Sequence, residues 1–343
     1  MKKYLLALPF LFAASSLASA AETKGVVVTI KPLHSLVQGV MGETGSADLI
    51  VDGYESPHGY QLKPSQVRKL QSANFVFYIG NRFELFLNKS LDTLPDHVRA
   101  ISMASKARLE VLENREGGGW EAHDHSAHAH EGDNHDDHDK HGKHEDHDDH
   151  DKHADHKGHD HHDDHEGHSA TDDHHFWLSP GNAIEMVKTV TKELSKVYPE
   201  NKRTYKNNAK ALIQDIEAAD QQIRSELQGV RDVPYIVFHD AYQYFEKHYK
   251  LTGVGSILLE PDEKPGIARL QEIRAKINET GAACIFREPQ FSDKLVKTAL
   301  EGTKAKAGTL DPIGADMKAG KGQYVALIKQ LAANLKSCLG SVG

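Results

Sequence analysis

Histidine recurs at every third position from His135 to His168, with one extra at His161, and the residues between are mostly Asp, Glu, Gly and a few Lys. Neutral imidazole is a ligand for zinc, copper and nickel rather than for magnesium or calcium. In an extended, polyproline-like chain a period of three lines the rings up, whereas in an α-helix they drift around the cylinder. Either way two or three can converge on one cation. Asp and Glu alone would serve a solubilising linker, so the repetition of His points to transition metals without saying which. From His123 to His168 there is no branched aliphatic or aromatic side chain. Such a stretch cannot bury enough apolar area to offset the entropy of ordering it, so residues 121–173 are expected to form a solvated, largely disordered insertion.

Seven histidines lie outside that repeat-rich stretch: His34, His58, His97, His174, His175, His239 and His248. Ligands of open α/β sheets bind beyond the carboxyl ends of the strands, and this sorts them. His58, in ESPHGYQLKPS, follows the strand-like SADLIV; His239, in FHDAYQYF, directly follows YIVF. His175, in HHFWLSP, stands where the polar repeat gives way to foldable sequence, and His174 could serve in its place. His34 and His248 fall inside expected helices and His97 beside a turn, which suits surface or capping roles. Three neutral imidazoles plus one carboxylate or water make a tetrahedral zinc set. Carboxylates placed to complete it are Asp311, after AGTL in GTLDPIG, and Glu55, three residues before His58; Asp240 and Glu288 also end strands.

The elements that must position these residues alternate in type. Strand-like runs at 25–30, 46–51, 74–80 and 98–103 are separated by helical patterns at 33–41, from 64, and at 84–91. Beyond the insertion, 183–197 is helical. Then Tyr205, Ala209, Leu212, Ile213, Ile216, Ala219, Ile223 and Leu227 mark one face of a long helix. About thirty residues at 1.5 Å each give roughly 45 Å, enough to join two lobes. Strands at 235–238, 252–258, 282–286 and 307–310 then alternate with helices at 242–248, 267–277, 293–300 and 324–335. The expected fold is α/β, with two parallel sheets flanked by helices, one long connecting helix and a cleft between lobes.

The first twenty residues read as a secretory signal: Lys2 and Lys3, an apolar run too short to span a bilayer, and an Ala-x-Ala ending at Ala20. No Cys follows to accept a lipid, so a soluble protein of a bacterial periplasm is expected. The only cysteines, Cys284 and Cys338, are expected to pair in that oxidising compartment. The formal charge is −9, and residues 123–173 alone hold eighteen acids and four lysines. Acidity therefore belongs to the insertion, and nothing in the rest points to nucleic acid.

In order, SPHGYQLKPS, HHFWLSP, FHDAYQYF, FREPQF and GTLDPIG resemble the zinc-binding periplasmic subunit of bacterial zinc ABC importers, the ZnuA type, through nearly the whole chain outside the insertion. That resemblance implies a signal peptide at 1–20, a first α/β lobe at 21–198 carrying the insertion, a linking helix at 199–229 and a second lobe at 230–343. It makes His58, His175 and His239 the metal ligands, with zinc favoured because manganese carriers of the family have Glu at the third position. Asp311 matches an acid that closes the site in manganese relatives. Some zinc relatives have an acid immediately before the first His, where this chain has Pro57, so the fourth ligand stays open among Asp311, Glu55 and water. The implied protein is a monomeric carrier, not an enzyme, that passes zinc to a membrane permease. Competing readings are a secreted zinc hydrolase, although no His-Glu-x-x-His occurs, and a histidine-rich metal store.

The insertion runs almost to His175, so it tethers weak sites beside a cleft ligand at effective concentrations of roughly millimolar. Cells whose only copy lacks residues 124–168 are expected to grow normally when zinc is plentiful and poorly when it is scarce. Equal growth at every zinc level would return the stretch to a solvated linker.

Overall fold

The computed structural model describes residues 22–115, 172–259, 261 and 265–342. The expected signal peptide and nearly all of the histidine-rich insertion lie outside the described residues. Strands β1 (Thr23–Val28), β2 (Gly45–Leu49), β3 (Phe75–Tyr78) and β4 (Arg99–Ser102) form a parallel sheet in the order β2-β1-β3-β4. Strands β5 (Leu112–Glu113) and β6 (Asp172–Asp173) make a short antiparallel ribbon where the insertion leaves and re-enters. A second parallel sheet contains β7 (Tyr235–His239), β8 (Gly253–Leu258), β9 (Cys284–Arg287) and β10 (Lys306–Thr309), in the order β10-β9-β7-β8.

Helices α1 (Lys31–Met41), α2 (Pro64–Gln71), α3 (Asn88–Leu91), α4 (Met103–Lys106) and α5 (Pro180–Val197) belong with the first sheet. With the second go α7 (Gln243–Tyr249), α8 (Ile267–Thr280), α9 (Lys294–Leu300) and α10 (Gln323–Leu339), after the long α6 (Lys202–Leu227). Central parallel strands are covered on both faces and so read as continuous apolar runs: all of FVFY in β3 and all of YIVFH in β7 are buried. In α1, Leu33, Leu36, Val37 and Val40 fall on one buried face at helical spacing. The helix ends at Gly42, whose φ of 57° reverses the chain; a Cβ there would meet Asn208 Nδ2 of α6 at 2.4 Å.

The 26 residues of α6 span about 39 Å. Its predicted apolar stripe is buried except at Ile213, which is only partly so, and it packs on α5 and α1 of the first lobe and on α10 of the second. Near its start the Tyr205 hydroxyl meets Thr23 Oγ1 of β1 at 2.5 Å; near its end Asp220 Oδ1 lies 2.8 Å from His248 Nε2 of α7. His248 therefore docks the long helix, a larger task than the expected surface or capping role. One hydrophobic core runs from the first sheet through α5, α6 and α10 to one face of the second sheet. A smaller cluster, including Ile236, Phe238, Ile257, Ile273 and Ile277, fills the other face of the second sheet.

One helix expectation changes. The helix foreseen at 84–91 is a 3-10 turn, Leu85–Leu87, followed by the single turn α3. The cause is Glu84, which is buried and turns inward to accept the backbone N–H groups of Ile79 at 3.0 Å and Gly80 at 2.9 Å and the Thr29 hydroxyl at 2.6 Å. The β5–β6 ribbon is too short for any periodicity to announce it.

The expected disulfide is present, joining Cys284 of β9 to Cys338 of α10 across 54 residues. A loop of that length corresponds to about 4 kcal/mol of stabilisation in the chain-entropy picture. Reducing it is expected to lower the unfolding free energy by about 2–5 kcal/mol and to leave tight zinc binding unchanged. Thermal unfolding and zinc titration with and without reductant check both halves.

Candidate metal centre

At the carboxyl ends of both sheets three imidazoles meet. His58 lies in the loop between β2 and α2, His175 directly after β6, and His239 is the last residue of β7. His175 Nε2 is 3.2 Å from His58 Nε2 and 3.4 Å from His239 Nε2. One ligand atom from each of the three fits within 4.8 Å of the others. With Zn–N bonds of about 2.0–2.1 Å, the edge of a tetrahedron is about 3.3–3.4 Å, so the two separations measured from His175 Nε2 are close to those a zinc ion requires.

Each ring is held from behind. Asp173 Oδ1 accepts both the backbone N–H and the Nδ1 proton of His175, each at 2.9 Å. His239 Nδ1 is 2.7 Å from Glu288 Oε1, and the Tyr242 hydroxyl donates to that oxygen at 3.2 Å. The Asp173 carboxylate keeps the His175 proton on Nδ1 and leaves its Nε2 lone pair facing the cavity, while the Glu288 charge beside His239 Nδ1 favours the same tautomer there. The His58 loop is pinned to β2 by Gln66, whose Nε2 donates to Ile50 O at 2.7 Å and to the Tyr60 hydroxyl at 2.8 Å. Phe83 touches the rings of His58, His175 and Trp177 edge-on, with centroids 4.9, 5.5 and 5.0 Å apart. Trp177 is fully buried, and its Nε1 donates to Pro312 O at 2.9 Å, tying the His-x-Trp turn to the segment after β10.

Burial, reinforced by the neighbouring imidazoles His175 and His239, holds His58 well below its usual 6.5; burial, with His239 and His174, does the same for His175. Both rings are therefore neutral at pH 7, the form that binds metal. Burial also pushes the Asp173 carboxyl up to about 7, against the opposing pull of the His175 backbone N–H and of Arg115. The cavity the imidazoles share with Ser56, Gln290 and Phe291 measures about 10 Å³, room for about one water-sized particle.

The expected acidic ligands are not in this group. Asp311 is spent on its own loop: Oδ1 accepts from Gly314 N at 2.9 Å, Ile313 N at 3.1 Å and Gln290 Nε2 at 2.7 Å, and Oδ2 from Ala315 N at 2.5 Å. Glu55 is exposed and pairs with Lys63 at 3.6 Å. His174, the alternative to His175, turns away and shares its Nδ1 with Asp172 O at 2.9 Å. His34 is buried in α1 with Nε2 3.0 Å from Ala47 O. Sequence reasoning singled out Glu288 only as a strand end, and missed Asp173, Phe83, Lys31 and Arg115. Asp173 had one signal, its place two residues before His175.

Lys31 joins two loops that reach the site. Its buried ammonium, at the start of α1, donates to Ala315 O at 2.6 Å and Met317 O at 3.0 Å, reaches Gly314 O at 3.5 Å, and lies 3.0 Å from Asp52 Oδ1. Tyr54 OH adds a bond to Asp316. The loop that delivers His58 is thereby fastened to the segment after β10.

A family model, zinc-uptake complex component A, periplasmic (ZnuA), matches residues 26–338. The chain belongs to this family. Within it, the high-affinity zinc uptake system protein ZnuA of Brucella abortus is 45% identical over 96% of this chain and 95% of its own. A crystal structure of ZnuA superposes with a TM-score of 0.69 at 22% identity, covering 94% of this chain and all of the other. The periplasmic zinc binding protein TroA of Treponema pallidum gives 0.69 at 17% identity, over 92% and 98%. These two share the ZnuA fold.

The depressed histidines make a pH prediction for the zinc-free protein. Below about pH 6.5 the unfolded chain protonates His34, His58 and His175, which burial keeps neutral in the fold. The unfolded state then binds more protons, so stability falls with pH, only partly offset by Asp173 and Asp240, whose raised values work in the opposite sense. Thermal unfolding of stripped protein is expected to shift to lower temperature from pH 7.5 to 6.5 to 5.5.

Proposed function

We propose that His58, His175 and His239 hold one zinc ion as cargo, and that the protein captures it in the periplasm and hands it to the permease of an ATP-driven zinc importer. The observation that carries this reading is the convergence of three imidazoles, with His175 Nε2 3.2 Å from His58 Nε2 and 3.4 Å from His239 Nε2, on a chain of the ZnuA family. Relatives in that family are named for high-affinity zinc uptake. All three ligands come from one chain, so a monomer suffices. The first lobe is taken as 21–198, the linking helix as 199–229 and the second lobe as 230–343, with ligands from both sides of the cleft. Among the described residues no helix is long and apolar enough to cross a membrane, which is consistent with a carrier that meets its permease by diffusion. Asp311 is assigned to shaping the loop that Lys31 grips, not to the ion.

A zinc hydrolase would need an open coordination position and space for substrate at the bound water. A cavity of about 10 Å³ admits an ion and excludes an organic substrate, so the enzymatic reading has no structural support. Changing His58, His175 or His239 to Ala is expected to remove the tight site, with a loss exceeding the roughly 10–100-fold typical of an outer-shell partner. Competition titration against a zinc chelator measures it. Unchanged tight binding in any one variant would strike that residue from the ligand set, and unchanged binding in all three would sink the reading.

A further inference from the structure

Arg115 is the last described residue before the histidine-rich insertion, two positions beyond β5, and its side chain is only 11% exposed. Its Nε lies 3.1 and 3.0 Å from the two carboxylate oxygens of Asp240, Nη2 bonds the same group, and Nη1 donates to Glu246 Oε2 at 2.7 Å. Asp240 immediately follows His239. On the other side, β5 pairs with β6, Leu112 opposite Asp173, two residues ahead of His175. One side chain therefore ties the ribbon that carries His175 to the turn that carries His239. The ribbon meets α7 again through the Tyr244 hydroxyl, which donates to Asp173 O at 2.6 Å and accepts from Leu112 N at 2.9 Å.

Stability alone does not call for this arrangement. A buried ion pair contributes about as much as well-packed apolar residues, or less. What a guanidinium fork adds is geometry, because two parallel N–H bonds to one carboxylate fix both distance and angle. We propose that Arg115 is a positioning residue of the metal site: its fork on Asp240 sets the separation of His175 from His239, and with it the tetrahedral shape offered to zinc. The proposal rests on the reading of the three histidines as zinc ligands.

The test uses the full-length chain with Arg115→Lys, which keeps the charge and loses the fork, and Asp240→Asn, which weakens the fork from the other end. Cobalt, added at one equivalent, reports ligand geometry through its visible d–d bands, and zinc release is timed into excess chelator. Both variants are expected to keep a wild-type circular dichroism spectrum, release zinc roughly 10–100-fold faster, and show weaker cobalt bands as the tetrahedron relaxes. The double variant is expected to add little beyond either single one. Wild-type release and cobalt spectra in Arg115→Lys would overturn the proposal. If one variant does not fold, the other decides by the same two readouts. His239→Ala is the control: if it too matches wild type, the ligand reading has failed, a result distinct from an unaltered Arg115→Lys beside an impaired His239→Ala.

Discussion

Three imidazole lone pairs aimed at one buried point are the constraint that the surrounding structure answers. Acceptors 3.2 to 3.4 Å apart give each other nothing favourable without a cation between them, and in a low-dielectric site that deficit is not diluted by solvent. Left to relax, the rings would rotate, protonate or separate. Asp173 holds the His175 ring in the Nδ1–H form, Glu288 sets its charge beside Nδ1 of His239, Phe83 wedges against His58 and His175, and burial denies those two rings protons. The site is thus kept in a state that a zinc ion relieves.

Holding ligands from two sheets in such an arrangement requires that the sheets share a frame. The shared frame is α6 with its neighbours: one apolar stripe packs on α1 and α5 of the first lobe and on α10 of the second within a single core. That core is continuous across both lobes, so any movement of one lobe against the other must repack it. Tyr205 and Asp220 anchor the two ends of the helix to β1 and α7.

Much of this was legible in the sequence, for identifiable reasons. Alternation of β-branched runs with helical periodicity gave both sheets, and the stripe from Tyr205 to Leu227 gave the long helix with its buried face. His58 and His239 were legible because a ligand residue just after a parallel strand has few other places to point. Asp311 read as a ligand by the same rule, yet its short carboxylate is bonded by three backbone N–H groups of its own loop and by Gln290 from the loop after β9, a competition that strand position does not reveal. Glu84 defeated a helix expectation in the same way, by spending its carboxylate on backbone N–H groups. Arg115 and Lys31 were illegible because their partners are 125 and more than 280 residues away, where no spacing rule reaches.

The lysine at the start of α1 bonds two loops to each other, not to the imidazoles. Its ammonium sits in a cage of main-chain oxygens and one carboxylate, as a partly dehydrated alkali ion would, but it is covalently tethered to α1 and makes none of its bonds to the cargo. A fastening that is the same with and without the ion stabilises the loaded and empty closed forms alike, so it cancels from the dissociation constant. Were an ion to enter and leave through an unfastened state, microscopic reversibility would slow both rates by one common factor. A side chain bonded to the loops and not to the imidazoles would then bear on how long an ion stays rather than on how tightly it is held.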